Sequence, residues 1–333
     1  MGSDLLDLEK PFEGLLKSIE SLEGKRNSRK VTEELESLRA ELATKRAEIF
    51  GSLTPWQRVE VARHPQRPRT LEYVERLFSD FTEIHGDRRF GDDAAIVAGF
   101  AVFDGDPVLV VGHQKGRGTK DNIRRNFGYA RPEGYRKALR AMKLAEKFSR
   151  PILVFIDTPA AYPGVESEER GVAEAIATNL KEMAMLSVPV VVIVTGEGGS
   201  GGALGIAIGD SILMQEFSMY SVIPPEGCAA ILWRDADKKR EATEALKIQA
   251  EDLRELGVVD SVIGEPVGGA HADPEAAAEL IARALRETLE QLGGLSVSER
   301  LESRYQKFRA MGRAGFHEVL FDSGEPGPES TNA

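Results

Sequence analysis

Cysteine is almost missing from this chain of 333 residues: Cys228 is the sole thiol, so no intrachain disulfide and no cysteine-based zinc site can form within it. Histidine is sparse, with five in all. No His-x-x-x-His or Cys–His spacing occurs, so His85 and His113 read as structural hydrogen-bonding residues and no metal is expected. No stretch approaches the about 18 uninterrupted apolar residues of a membrane span. The start, Met1 to Lys10, lacks the basic region and apolar run of a leader. Positive charge is also in deficit. With 43 basic against 54 acidic residues the net charge is -11, which argues against nucleic acid or an acidic membrane as the main partner. These absences predict an unprocessed, soluble protein of the reducing cytoplasm.

What is present is periodicity. Leu5, Leu8, Phe12, Leu15, Ile19 and Leu22 recur at helical steps, and the spacing resumes from Val31 through Leu35, Leu38, Leu42 and Ile49 after a break at Gly24 to Lys30. Residues 1–53 are therefore expected as a helical hairpin arm, with 54–69, containing Pro55, Pro65 and Pro68, as a linker. From Thr70 a capped helix is predicted through Phe78 and Phe81, then two strands, Ala94 to Phe103 and Pro107 to His113, joined by an Asp-Gly-Asp turn. Helix and strand then alternate: Pro132 to Phe148, Ile152 to Asp157, about Glu166 to Leu186, Val188 to Thr195, Gly201 to Ile208, Ser211 to Gln215. That order indicates an α/β layered fold with parallel pairing over residues 70–265. A helix near Ala245 to Glu255 and a strand at Val258 to Ile263 follow. Polar helices from Asp273 and Ser296 fill 266–320, and the Gly-, Pro- and Glu-rich 321–333 is expected as a disordered tail.

The Thr195–Ala203 segment, TGEGGSGGA, lies between a strand and a helix and fits three chemistries. Gly196-x-Gly198-x-x-Gly201 matches a dinucleotide fingerprint with Glu216 as the ribose acid, although the helix before Ser211 is short for a crossover. Gly198-x-Ser200-x-Gly202 matches a nucleophile elbow, which needs a histidine, and only His271 and His317 follow. Alternatively the N–H groups of Gly201, Gly202 and Ala203 form an oxyanion site at a helix N-terminus, which asks for no acid, base or nucleophile. Tight packing alone would also explain the glycines. Glu197 either orients the loop or is exposed, and Cys228 reads as a small buried residue. Tyr162-Pro163-Gly164 is a second loop following a strand, where open α/β sheets bind ligands. Lys115, Arg117, Lys120, Arg124 and Arg125 are the clearest basic cluster, suited either to phosphate or to a solvated surface.

Several segments resemble one family: FTEIHGDR (81–88), GHQKGR (112–117), RRNFG (124–128), PEGYRKA (132–138), DTPAAYPG (157–164), Gly196 to Leu204, and YSVIPPEGC (220–228). Together they make the chain similar, over about residues 5–316, to the alpha subunit of bacterial acetyl-CoA carboxylase carboxyltransferase, of the crotonase-like superfamily. The resemblance implies a crotonase-like (ClpP/crotonase) layered spiral core between the helical hairpin and the C-terminal helices. It also implies transfer of a carboxyl group from carboxybiotin to acetyl-CoA, giving malonyl-CoA for fatty acid synthesis. Gly201 and Gly202 would then bind the ureido oxygen of biotin, flanked by Gly198, Gly199, Ser200 and Ala203. Tyr162, Pro163 and Gly164 would adjoin the site, and Lys115, Arg117, Arg124 and Arg125 would be contacts for CoA phosphates. The implied partners are a zinc-ribbon beta subunit in an alpha2beta2 assembly, holding the only zinc, a biotin carboxyl carrier protein, and an ATP-dependent biotin carboxylase.

Overall fold

The computed structural model describes residues 6–24 and 28–312. The expected tail at 321–333 and His317 lie outside them. Helices α1 (Glu13–Glu23) and α2 (Arg29–Phe50) form the arm, preceded by a 3-10 turn at Asp7–Phe12. Leu8, Phe12, Ile19 and Leu42 pack with Phe50 and Phe217, so the arm's apolar stripe lies against the rest of the chain. The 54–69 segment holds α3 (Pro55–Ala62), started by a Thr54/Gln57 capping box. Beyond it Arg67 is buried, bonding both oxygens of Glu265.

Helix α4 (Thr70–Leu77) stops before Phe78, and the predicted continuation through Phe81 is instead β1 (Ser79–Glu83). Strands β2 (Ile96–Phe103) and β3 (Asp106–His113) complete an antiparallel meander. After α5 (Gly118–Arg124) and α6 (Pro132–Lys147) comes β4 (Ile152–Thr158), which pairs parallel with β3. The single helix expected from Glu166 is two, α7 (Val165–Glu169) and α8 (Val172–Ala184). Gly171, at φ +73°, turns the chain between them.

Next come β5 (Val190–Gly199), α9 (Ser200–Leu204), β6 (Ser211–Gln215) and β7 (Met219–Ser221). The chain continues through α10 (Pro225–Trp233), α11 (Lys239–Leu246), α12 (Ala250–Glu255) and β8 (Ser261–Ile263), and the described part ends with α13 (Pro274–Gly293) and α14 (Val297–Ala310). Asp273 and Ser296 cap the last two helices, as their sequence positions suggest. The sheet order is β1-β2-β3-β4-β5-β6-β8, with β7 pairing separately onto β5. Strands β3 to β6 and β8 run parallel.

Both sheet faces are covered, which is why the central strands read as unbroken apolar runs. Val190, Val192 and Val194 join the core beneath α6 and α8, while Val191 and Ile193 face α4 and α13. Helix α14 is polar, yet it is pinned because the buried Arg304 forms a two-armed pair with Asp210 at 2.8 and 2.7 Å and donates to the carbonyls of Met183 and Leu186.

Three distant segments meet at Glu9. Its carboxylate accepts from His64 Nε2 (3.1 Å) and His271 Nε2 (2.8 Å), with the two rings stacked at 3.8 Å. Such a set could hold a cation. However, Gln66 N–H donates to His64 Nδ1, which fixes that ring's proton on Nε2, and two parallel stacked rings do not converge on one ion. The cluster is a hydrogen-bonded clasp between the arm, the segment after α3, and the turn before α13. Burial opposes charge on Glu9, but the His271 and His64 N–H groups outweigh it and hold the carboxyl well below the usual range.

Candidate active site

The glycine-rich segment is less of a loop than its composition suggests. Strand β5 runs on through Gly196 to Gly199, buried along its whole length, because its edge is used twice: Val191–Val194 pair with β6 and Glu197–Gly199 with β7. Only at Ser200, with φ +51°, does the chain turn into the five-residue α9. Gly199 is the N-cap, so the N–H groups of the first turn of α9, from Ser200 on, lie where a helix start offers donors. The expected donors Gly201, Gly202 and Ala203 all lie within this short helix.

Backbone contact explains the glycines one by one. A methyl group on Gly199 would strike the Pro159 carbonyl, and one on Gly202 the Ala160–Ala161 peptide, whereas on Gly201 it would meet only Ile176 Cδ1 at 3.7 Å. The residues touching the glycines are thus Pro159 to Ala161, just before the Tyr162-Pro163-Gly164 turn singled out by sequence. That turn is held by Tyr162 N–H donating to the Ala130 carbonyl and by Arg131 over the Tyr162 ring.

Behind this lies a chain of charges. Lys115 Nζ sits 2.8 Å from Asp157 Oδ1 and 2.7 Å from Glu197 Oε1, and Arg63 bridges Glu197 Oε2 (2.8 Å) to Glu226 (2.7 Å). Glu197 is buried, which opposes its charge, but Lys115 and Arg63 outweigh that and keep its pKa low. Of the two readings of Glu197, orientation of the strand end is the one the geometry matches. Lys115 is held inside this chain.

The rest of the basic cluster is scattered. Arg117 pairs with Glu72, Arg125 is buried and donates to the Ala94 carbonyl, and Arg124 pairs with Asp121 on the surface. Lys120 is exposed. Asn126, Phe127 and Gly128 have φ of +47°, +54° and +83°, a rare run that Thr158 Oγ1 anchors by donating to the Gly128 carbonyl.

A cavity of about 390 Å³ opens beside α9, lined by Ser200, Gly201, Leu204, Tyr220, Val222 and Phe308 among others, none of them charged. Sequence reasoning gave no role to Tyr220. Its place beside the glycines comes from the β5–β7 pairing, which three residues of β7 could not announce.

The two rival readings lose their geometry. The Gly196–Gly199 stretch is strand, not a phosphate-cradling turn, and Glu216 accepts from Glu265 N–H. Ser200 does have the strained strand-to-helix φ of an elbow. But His271 is engaged by Glu9, and neither nitrogen of the buried His113 has a hydrogen-bond partner among the described residues.

His113 gives the fold a pH dependence. Burial lowers its pKa to about 3, even though the nearby Gly202 carbonyl favours the proton. In the unfolded chain a histidine titrates near 6.5. Below that pH the unfolded state takes up a proton that the folded state refuses, so stability falls with pH by up to about 1.4 kcal/mol per unit from this group, until about pH 3. Urea midpoints between pH 4 and 7 should fall more steeply for the native chain than for His113→Gln. Equal slopes would exclude His113 as a source.

Comparison with known proteins adds the family. Residues 5–312 match the family described as acetyl co-enzyme A carboxylase carboxyltransferase-like. The acetyl-coenzyme A carboxylase carboxyl transferase subunit alpha of Geobacter metallireducens is 55% identical over 309 residues, 92% of this chain and 97% of the relative. That of Geobacillus kaustophilus is 56% identical over 313 residues, 93% and 96% of the two chains. Among solved structures, transcarboxylase 12S superposes with a TM-score of 0.53 at 21% identity, covering 65% of this chain and 41% of that one. A Pseudomonas malonate decarboxylase hetero-tetramer gives 0.55 at 18% identity, covering 71% and 94%. These structural likenesses show the fold alone, and it is the crotonase-like fold expected from the sequence. With a match across nearly its whole length, the chain belongs to the acetyl co-enzyme A carboxylase carboxyltransferase family.

Proposed function

We propose that this alpha-type chain carries out carboxyl transfer to acetyl-CoA by orienting its ligands and stabilising charge, with no acid–base side chain of its own. Carboxyl transfer in acetyl-CoA carboxylase, giving malonyl-CoA, is the function its family supports, and the alpha designation of its relatives goes with a second subunit. The observation that carries the site is an uncharged cavity lined by Ser200 and Gly201, beside the first turn of α9, where a helix start presents N–H donors. Preorganised donors next to a low-dielectric cavity favour an oxygen that gains negative charge during reaction. A bicyclic ureido ring matches the apolar lining, and its oxygen would accept from Gly201 and Gly202. Phosphates do not suit this cavity and belong outside it, where Arg117, Lys120 and Arg124 are the exposed cations of the basic cluster.

Carboxybiotin, brought by a carrier protein, would supply the carboxyl group: its ring nitrogen–carboxyl bond would break as the carboxyl carbon bonds to the acetyl carbon, and the nitrogen so freed would take the proton that the methyl loses. The task of this chain is to hold that ring and exclude water, while the partner completes the thioester side. The assembly proposed is two alpha and two zinc-ribbon beta chains in the cytoplasm, fed by a biotin carboxyl carrier protein and biotin carboxylase. No helix among the described residues is long and apolar enough to cross a membrane.

The test is carboxyl transfer in reverse, from malonyl-CoA to free biocytin. Carboxybiocytin should form with the co-purified pair and not with this chain alone, and an inert but intact pair would defeat the proposal. In the same assay Ser200→Ala should keep turnover within about tenfold, because only its backbone is used, whereas a nucleophile would lose essentially all of it.

A further inference from the structure

Three residues that carry side-chain hydroxyls line the cavity beside α9, Ser200, Tyr220 and Ser221. Ser221 is occupied, donating to the Ile223 carbonyl at 2.7 Å. Tyr220 is fixed in place by its backbone. It pairs with Gly198 in the β5–β7 ladder, and its N–H donates to the Ile248 carbonyl. Its ring lies flat on Gly198, where a methyl group would come within 2.7 Å of Cδ2. Gly198 therefore provides the room for the ring, and strand pairing sets the ring's position relative to Ser200 and Gly201.

We infer that the Tyr220 hydroxyl is a catalytic hydrogen-bond donor to the ligand in this cavity, a molecule with an apolar ring body and a polar carbonyl oxygen. The cavity offers no charged group to solvate such an oxygen, so a donor on its wall acts against an apolar background, where a hydrogen bond is strongest. Burial alone pushes the phenol up to about 12, and no hydrogen bond among the described residues contributes. The hydroxyl is thus protonated at every working pH and serves as a donor, never as a base. It would strengthen the contacts made by the α9 N–H groups as charge builds on the ligand oxygen. This inference rests on reading the cavity as the carboxyltransfer site.

Two variants of the co-purified complex, assayed in reverse with biocytin, separate the inference from that reading. Tyr220→Phe keeps the ring on Gly198 and removes only the hydroxyl. Leu204→Trp fills the cavity from a residue that is 37% exposed, so the core has no need to move. Tyr220→Phe is expected to lose on the order of 100-fold in kcat, with KM for malonyl-CoA within about threefold and an unchanged Tm. Leu204→Trp is expected to lose nearly all turnover. If Leu204→Trp is inactive but Tyr220→Phe turns over normally, the inference is overturned and the site stands. If Leu204→Trp retains turnover, the cavity is not the ligand's seat, and both fall whatever Tyr220→Phe does.

Discussion

Replacing Gly202 by alanine is expected to remove at least 99% of carboxyltransfer turnover, roughly a 100-fold loss, while Gly201→Ala stays within about tenfold of the native chain. The two glycines are neighbours in α9, yet what their missing side chains would meet differs. The Gly202 methyl group would collide with the Ala160–Ala161 peptide. That peptide cannot retreat, because Ala161 bridges to Ala130 and the next residue's N–H is taken by the Ala130 carbonyl. The helix must therefore move instead, and a displacement of about 1 Å is enough to cost on the order of 100-fold in an oriented reaction. Overpacking of this kind also destabilises by about 1–3 kcal/mol, so Tm should drop in the same variant. At Gly201 the methyl meets a side-chain carbon at ordinary contact distance. Turnover and Tm of the two purified complexes decide the matter. Equal turnover would show that the seating of α9 on residues 160–161 does not control the reaction.

This contrast was invisible in the sequence, which supplied the glycines as a set and could not rank them. The same limit recurs elsewhere. Alternation of apolar runs and helical spacing located β2 to β6 and α6, and Asp273 and Ser296 marked the starts of α13 and α14, because these signals are local. Phe78 and Phe81 misled, since their spacing continues that of α4, but an edge of β2 was available to pair with and drew Phe81 into β1, leaving Phe78 as the C-cap of α4. Gly171 inside an otherwise helical pattern gave the only hint of the break between α7 and α8. The Glu9, His64 and His271 clasp joins residues 55 and 262 positions apart, and no spacing rule reaches that far. The basic cluster failed as a cluster for the opposite reason: Lys115, Arg117, Arg124 and Arg125, near one another in sequence, are each engaged by carboxylates or carbonyls, and Lys120 stays exposed.

Lys115 is one of those five, and its partners give it a structural role. Its ammonium lies between Asp157 and Glu197, and its side chain is 16% exposed. Burial works against the charge, but the two carboxylates outweigh it and raise the pKa. Lys115→Met would leave the carboxylates facing each other without a cation. Arg63 still reaches Glu197, but from its other oxygen. Removing one partner of a buried ion pair costs about 3–5 kcal/mol, far more than the pair itself contributes, because the remaining charge has lost its compensation. The expected result is a fall of that size in unfolding free energy at pH 7.5, read from urea midpoints. A large loss of turnover should accompany it, since Asp157 Oδ1 also accepts the Glu197 N–H and so fixes the strand end that carries the glycines. Adding Glu197→Gln to Lys115→Met removes one of the two opposed charges, and part of the stability should return, so the two changes are not additive. An exposed, phosphate-seeking lysine would behave otherwise. Its loss would raise KM for the acyl-CoA and leave the urea midpoint where it was, and that outcome would restore Lys115 to the ligand-binding role its sequence position suggests.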